Sequence, residues 1–271
     1  MASSALLPEY AAPPVEEVAV SIMFEGLERL SSAHVGRLWQ KYPEFPRTED
    51  HPEIDLAVEL PPDPSSHEFP RVEFGKPRLR TWFLSKDGTR LIQVQRNRFA
   101  YNWRRAESGN TYPHYHVLRE QFVEALAVFR DFLRTSDFPD IKPVQSELTY
   151  VNHIKDEGGW PHSRVADVVN VWRESATGFL PAPEDVRFAV RYVMPDSKGA
   201  FAGRLAVTLA PAYLVNNHEE ILALTMVARG RPLDSSVDGA FAFLDLGHEW
   251  IVRGFTELTT AAMHERWGRN R

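Results

Sequence analysis

The chain has 271 residues, 43% hydrophobic and 25% charged, which is typical of one or two globular domains with a substantial core. The formal net charge of -6 disfavours general nucleic-acid binding, and the absence of cysteine excludes disulfides, thiolate metal sites and cysteine nucleophiles. No apolar run approaches a membrane span and residues 1–14 lack signal-peptide features, so we expect a cytoplasmic protein that does not enter membranes.

The first half of the chain predicts strands and helices in a simple order. Residues 1–14 are rich in Ala, Ser and Pro and should form a loose tail. Periodicity then predicts, in order, a strand at 15–24, a helix at 30–42, an acidic proline-rich surface loop at 43–70, three antiparallel strands within 81–105, and a long helix at 116–133. The turn KDGT joins the first two of the three strands, with Gly88 at positive φ.

The second half repeats this order. The predicted elements are a strand at 144–154, a helix at 163–175, three strands within 186–230, a long helix at 238–255 and a short helix at 259–268. We therefore predict an α+β fold in which long helices cover one face of a curved antiparallel sheet. The order suggests two β-α-βββ-α halves, 15–135 and 144–271, in one compact domain, like the saddle of the TATA-binding protein or a helix-grip sheet.

The stretch LIQVQRNRFAYNWRR (91–105) holds four arginines and no acid. Strand alternation places its polar side chains together with arginines of later strands on one sheet face. The predicted binding residues are Gln93, Gln95, Arg98, Asn102, Arg104, Arg187 and Arg191. Such a face suits a partner protein or an anionic ligand, whereas the simpler interpretation is a solvated sheet face. If the helices lie on the other side, Phe99, Tyr101 and Trp103 would instead form a stacking surface.

Candidates for catalysis and metal binding are weaker. Asn152 and His153 lie in an otherwise apolar strand, where they could form a general base with an orienting neighbour or be satisfied polar groups of the core. His114, His116 and Glu120 could ligate a metal or merely be exposed at the start of a helix. No phosphate-binding loop, dinucleotide fingerprint or serine-nucleophile motif occurs, and we predict no cofactor.

Four blocks carry a resemblance to a known family: WFLSKDGTRLIQVQRNRFAYNWR, ELTYVNHI, FLDLGHEWIVRGF and LTTAAMHERWG. The chain resembles a sporadically distributed family of bacterial proteins of about 250–270 residues whose function is uncharacterised. The resemblance spans about residues 13–269. It implies a bacterial cytoplasmic protein, a mobile or accessory gene product, and supplies no catalytic residue, cofactor or substrate.

Two functions remain open on the sequence. The first is a non-enzymatic binding module that presents its Arg/Asn/Gln-lined face to a partner protein, an anionic ligand or, less favoured by the net charge, nucleic acid. The second is a small-molecule-binding enzyme or sensor with a pocket near His153 and the 91–105 hairpin. An open sheet edge could also support a homodimer.

Overall fold

The computed structural model describes residues 6–55, 58–61, 79–106, 109–155, 165–173, 179–181, 183–215 and 217–270. Within them, nine strands form one curved antiparallel sheet accompanied by four α-helices, as the sequence predicts for the fold class. The strands are β1 (Val15–Phe24), β2 (Arg47–Pro52), β3 (Leu79–Leu84), β4 (Arg90–Gln95), β5 (Arg98–Arg104), β6 (Pro143–Lys155), β7 (Phe188–Pro195), β8 (Phe201–Tyr213) and β9 (Glu220–Gly230). The helices are α1 (Ser32–Trp39), α2 (His114–Thr135), α3 (Val237–Leu258) and α4 (Ala261–Arg266).

The sheet is centred on the antiparallel pair β1 and β6, and its strand order is β2-β3-β4-β5-β1-β6-β9-β8-β7. Read outward from the centre, β1-β5-β4-β3 on one side corresponds to β6-β9-β8-β7 on the other. Each half thus places its first strand innermost and its last strand next to it. This order agrees with the predicted arrangement of two halves, although an internal repeat and a TATA-binding-protein-like saddle stay predictions.

The two long helices cover one face of the sheet. Phe99 of β5 stacks on Phe129 of α2 with ring centroids 5.0 Å apart, and α3 packs on β6 and β9. The alternating apolar residues of the strands, such as Val18, Val20 and Ile22 of β1, are fully buried against this layer. Burial of this apolar face is the main force that holds the sheet and the helices together.

The hairpin between β3 and β4 follows the sequence prediction. Gly88 has φ of 74°, and Asp87 accepts hydrogen bonds from the Ser85 hydroxyl (2.7 Å) and the Thr89 amide (3.1 Å). These bonds hold the pKa of the Asp87 carboxyl below its usual range. The local turn chemistry therefore fixes the register of β3 against β4.

Several sequence expectations differ from the structure. The region predicted as a helix at 163–175 contains, in its described part, only a short 3-10 helix at Val165–Asp167. The predicted surface loop at 43–70 contains edge strand β2, whose polar, exposed sequence gives no strand periodicity. Within the predicted loose tail, Tyr10 is buried and its hydroxyl bonds that of Thr256 (2.8 Å), because the segment packs against α3 and α4. No described helix has the length and apolar character needed to cross a membrane.

Candidate functional site

The sheet face opposite the helices carries a row of buried polar side chains. Cα register aligns Gln95 of β4, Arg98 of β5, Met23 of β1 and Gln145 of β6 across four neighbouring strands. The next row places small residues, Ala100 and Ser21, at the centre of the sheet, where both are only 3% exposed. On this helix-free face the small side chains form a floor between flanking polar side chains, and the resulting depression is called the groove.

A segment of the same chain lies on the groove. It is called the acidic segment and comprises residues 53–60, of which 53–55 and 58–60 are described. The Gln95 side chain accepts from the Ile54 amide (3.2 Å) and donates to the Ile54 carbonyl (3.0 Å). The Gln145 side chain accepts from the Glu59 amide (2.7 Å). The buried glutamines thus bond main-chain groups of the acidic segment, while the Gln95 amide also donates to Asn97 (2.6 Å) and the Gln145 amide to the Met23 sulfur (3.1 Å).

The Glu59 carboxylate is the most heavily contacted acid in the acidic segment. Arg204 of β8 donates to it at 2.5 Å and Arg191 of β7 at 3.1 Å. Arg229 of β9 lies 4.0 Å from the same carboxylate, and Arg204 also donates to the Leu60 carbonyl at 2.7 Å. Because the Glu59 and Arg204 side chains are only 12% and 16% exposed, this charge pair is largely shielded from water.

A second carboxylate, Glu147 of β6, is built into the groove floor. It accepts from Arg229 (2.5 Å) and from Arg98 (3.4 Å). Burial lowers the pKa of the Arg98 guanidinium, the charge of Glu147 opposes that change and the charge of Arg229 adds to it. Four arginines, at positions 98, 191, 204 and 229, therefore surround two carboxylates, and one of those carboxylates belongs to the acidic segment.

The predicted residues Gln93, Asn102 and Arg104 contact groups of the sheet itself, although the buried Nε of Arg104 makes no hydrogen bond to the described residues. The Gln93 side chain accepts from Arg80 (2.9 Å) and donates to Asn102 (2.8 Å), and Asn102 donates to Glu17 (2.5 Å). Arg104 lies 3.3 Å from Glu17 and covers the Trp82 ring. These contacts form a polar network at the β3 end of the groove.

The structure brings six of the seven predicted binding residues to the same face, and Arg187 is the exception. Arg187 precedes β7 and its exposed side chain pairs with Asp185 (3.3 Å), so it does not join Arg191 on the sheet. The alternative stacking surface is wrong, since Phe99, Tyr101 and Trp103 are buried on the helix-covered side. The sequence did not identify Glu59, Gln145, Arg204 and Arg229 as a cluster because their contacts join distant parts of the chain.

Asn152 and His153 do not form a joint site. Asn152 faces the helices and donates to the Leu224 carbonyl (3.0 Å), whereas His153 lines a cavity of about 490 Å³ together with Tyr112, His114 and Trp267. Burial lowers the pKa of His153, and its Nδ1 has no hydrogen-bond partner among the described residues. Of the 91–105 hairpin, only Arg105 reaches this cavity, so the predicted pocket is not assembled around Gln93, Arg98 and Asn102.

The predicted metal candidates do not converge either. The rings of His114 and His116 lie 6.2 Å apart at the start of α2, and His114 has a positive φ of 66°. In the part of the chain that the structure describes, no group of three or more His, Asp or Glu side chains is placed to hold a metal ion. His114, His116 and Glu120 are thus an exposed helix start rather than a ligand set.

Comparisons of the chain with protein-family models, with curated proteins and with solved structures found no match, so the interpretation of the groove depends on its own chemistry.

Proposed function

We propose that the protein is a non-enzymatic binding module whose groove receives an extended acidic polypeptide segment. The acidic segment of the chain itself is then an internal occupant that a partner segment replaces. The observation that carries the proposal is the double recognition of residues 53–60, in which glutamines bond the main chain and arginines bond a carboxylate. This combination specifies a peptide rather than a lone anion.

The spacing of the two glutamines fits an extended peptide. Gln95 and Gln145 are separated by three strand-to-strand steps, about 14 Å at roughly 4.8 Å per step. Their main-chain partners, Ile54 and Glu59, are five residues apart, which an extended chain covers in at most about 17 Å. A peptide ligand that meets the two glutamines at positions five residues apart must therefore be nearly fully extended, since a helical stretch of that length would be too short to reach both.

The charge arrangement favours an acidic segment over nucleic acid. Removal of the Glu59 carboxylate would take the ion-pair partner from Arg191 and Arg204 and leave Glu147 to face Arg98 and Arg229, so one or two acidic side chains restore the balance. A phosphate backbone would bring a continuous row of negative charge against Glu147 and Glu17 in the groove. A cavity of about 300 Å³ beside Glu59 leaves room for a further acidic side chain against Arg191, Arg204 and Arg229.

An internal occupant should mask the groove. A tethered segment competes at an effective concentration on the order of millimolar. A peptide with micromolar affinity for the empty groove would therefore bind the intact chain only at about millimolar concentration. The proposal predicts that weakening the acidic segment increases affinity for a peptide added in solution.

The test is fluorescence polarisation with a labelled peptide PEIDLAVELP, which copies residues 52–61. The proteins are the wild-type chain, Glu59→Gln, and a variant in which residues 53–60 become a Gly/Ser stretch of equal length. We expect at least about tenfold tighter binding to Glu59→Gln than to wild type, and tighter binding still to the Gly/Ser variant. Arg204→Met in the Gly/Ser background should remove most of the gain.

Two controls make the result specific. Glu49→Gln alters an exposed acid of edge strand β2 and should leave peptide affinity at the wild-type value. A peptide with Gln in place of the glutamate that copies Glu59 should bind the Gly/Ser variant about tenfold more weakly. If near-UV circular dichroism shows that the Gly/Ser variant is folded and it binds the peptide no better than wild type, the groove does not accept peptides in solution.

A further inference from the structure

A cavity lies on the helix-covered side of the sheet, away from the groove. Its volume is about 500 Å³, within the range of small-molecule sites, and it opens between the start of α2, helix α3 and strand β6. Its walls include Tyr112, Tyr115, Tyr150, His248, Ile251 and Phe255. Residues 7–10 and 13 also line it, and the neighbouring Ala11 and Ala12 amides donate to carbonyls of Gly268 and Trp267, which holds this segment across the opening.

A chain of neutral polar groups runs along one wall of the cavity. The hydroxyls of Tyr112 and Tyr150 are 2.7 Å apart, and the Tyr150 hydroxyl lies 3.3 Å from Nδ1 of His248. The Tyr115 ring stacks on the His248 imidazole with centroids 4.1 Å apart and an interplanar angle of 13°. The imidazole is thus fixed in orientation by one ring and one hydroxyl.

The cavity favours uncharged groups. Burial lowers the pKa of His248 to about 4, so the imidazole is neutral at neutral pH, and burial raises the pKa of Tyr150. The nearby Asp245 carboxylate is already engaged by Arg119 at 2.7 Å and by the Tyr115 hydroxyl at 2.9 Å. No arginine or lysine is among the described residues that line the cavity, and Glu9, a carboxylate on its wall, has an interaction of its own, so an anion would be buried there without a counter-charge.

Hydrogen-bond accounting specifies the polar group of the ligand. A neutral imidazole has one donor and one acceptor nitrogen, and Nδ1 is used by Tyr150. Nε2 of His248 makes no hydrogen bond to any described residue. In one tautomer Nδ1 accepts a hydrogen bond from the Tyr150 hydroxyl, and Nε2 then carries the proton and can donate to a ligand. In the other tautomer Nδ1 donates to the Tyr150 hydroxyl, Nε2 can accept from a ligand, and the Tyr112 hydroxyl is free to donate. A ligand hydroxyl satisfies both arrangements, because it donates and accepts.

We propose that this cavity binds a small, uncharged aromatic molecule that carries a hydroxyl group. The aromatic rings of Tyr112, Tyr115 and Phe255 supply the flat apolar surface, and His248 supplies the hydrogen bond. The site is independent of the groove, since the two lie on opposite faces of the sheet.

The experiment is equilibrium dialysis of the full chain against three probes of matched shape: 2-naphthol, naphthalene and 2-naphthoate. We expect saturable one-to-one binding of 2-naphthol, about tenfold weaker binding of naphthalene because one hydrogen bond is lost, and still weaker binding of 2-naphthoate because its charge is buried unpaired. His248→Phe keeps the ring stack and should abolish the preference for 2-naphthol over naphthalene while naphthalene still binds.

A cavity-filling variant and a matched control complete the design. Val252→Trp, on the cavity wall, should abolish binding of both 2-naphthol and naphthalene. Tyr42→Phe removes a buried hydroxyl outside the cavity, which donates to the Ala125 carbonyl, and should leave all three affinities unchanged. Absence of saturable 2-naphthol binding to the wild-type chain, or a preference for the hydroxyl that survives His248→Phe, overturns the proposal.

Discussion

The ion pair between Glu59 and Arg204 should be energetically coupled far beyond an ordinary surface pair. The two side chains are 12% and 16% exposed, and the guanidinium lies 2.5 Å from the carboxylate. Attraction between unit charges at about 4 Å is roughly 4 kcal/mol at an effective dielectric constant of 20, before desolvation is subtracted. After that subtraction, and with residual solvent access, we expect a coupling free energy of about 1–3 kcal/mol.

A double-mutant cycle measures this coupling. The variants are Glu59→Gln, Arg204→Met and the double change, and the readout is native-state hydrogen exchange at the Ile54 amide, which donates to Gln95. This amide reports opening of the acidic segment directly. The exposed helical pair Glu249 and Arg253, with side chains 47% and 44% exposed, provides a reference cycle, read from urea unfolding, expected at about 0.3–0.5 kcal/mol.

The salt dependence of the coupling free energy distinguishes the two ion pairs further. Raising sodium chloride from about 0.05 M to about 0.5 M shortens the screening length and should remove most of the coupling in the reference cycle. The coupling between Glu59 and Arg204 should fall much less, since the pair is largely buried. A coupling at or below about 0.5 kcal/mol for this pair would mean that the acidic segment is not held by its carboxylate, and the basis for the proposed peptide recognition would be lost.

Two further predictions concern the core around the cavity and the sheet. The pKa of His248 is about 4 in the folded state against an ordinary value of 6.5, so the unfolded state binds the proton more tightly. The free energy of unfolding should therefore fall by up to about 3 kcal/mol as the pH drops from 7 to 4, as measured by urea titration at each pH. His248→Phe should reduce this loss. Gly230→Ala should cost about 2–3 kcal/mol, because its Cβ would lie 2.2 Å from the Ala202 carbonyl oxygen and 2.4 Å from the Phe243 ring. Gly36→Ala on helix α1, where no atom lies within 4 Å, should instead stabilise by up to about 1 kcal/mol, and equal urea midpoints for the two variants would contradict the packing argument.

The local pattern of apolar and polar residues in the sequence was sufficient to predict most strands of the sheet. Alternation in residues 18–24 and 98–104 separates a large apolar set from a set of polar and smaller residues, and the large apolar set faces the helices. The predicted helix at 163–175 is wrong because apolar spacing alone does not reveal that Val165, Val168 and Val169 are buried without a regular helix. Exposed edge strand β2 could not be predicted, since its RTEDHP sequence owes its pairing to β3 and not to its own side chains.

The two sites needed three-dimensional information for different reasons. Glu59 lies 145 residues from Arg204, and nothing in an acidic, proline-rich segment specifies which arginine it meets. His248 stands next to the polar residue Glu249 in the sequence, yet it follows Leu244 by four residues and precedes Ile251 by three. That spacing belongs to the buried stripe of α3, so a histidine on this stripe was the available signal for the cavity.

The contacts divide the predicted binding residues into two classes with different consequences for experiment. Gln93, Asn102 and Arg104 contact groups of the sheet itself, and Arg98 is paired with Glu147 in the floor. Replacing Arg98 and Arg104 together would leave Glu147 with Arg229 alone and Glu17 with Asn102 as its hydrogen-bond donor, so a loss of binding would reflect damage to the groove as much as loss of a ligand contact. Gln95 and Arg191 reach the acidic segment itself, and Arg191 is 61% exposed, so its removal perturbs the fold least. Arg191→Ala is therefore the substitution that separates recognition from stability on this face.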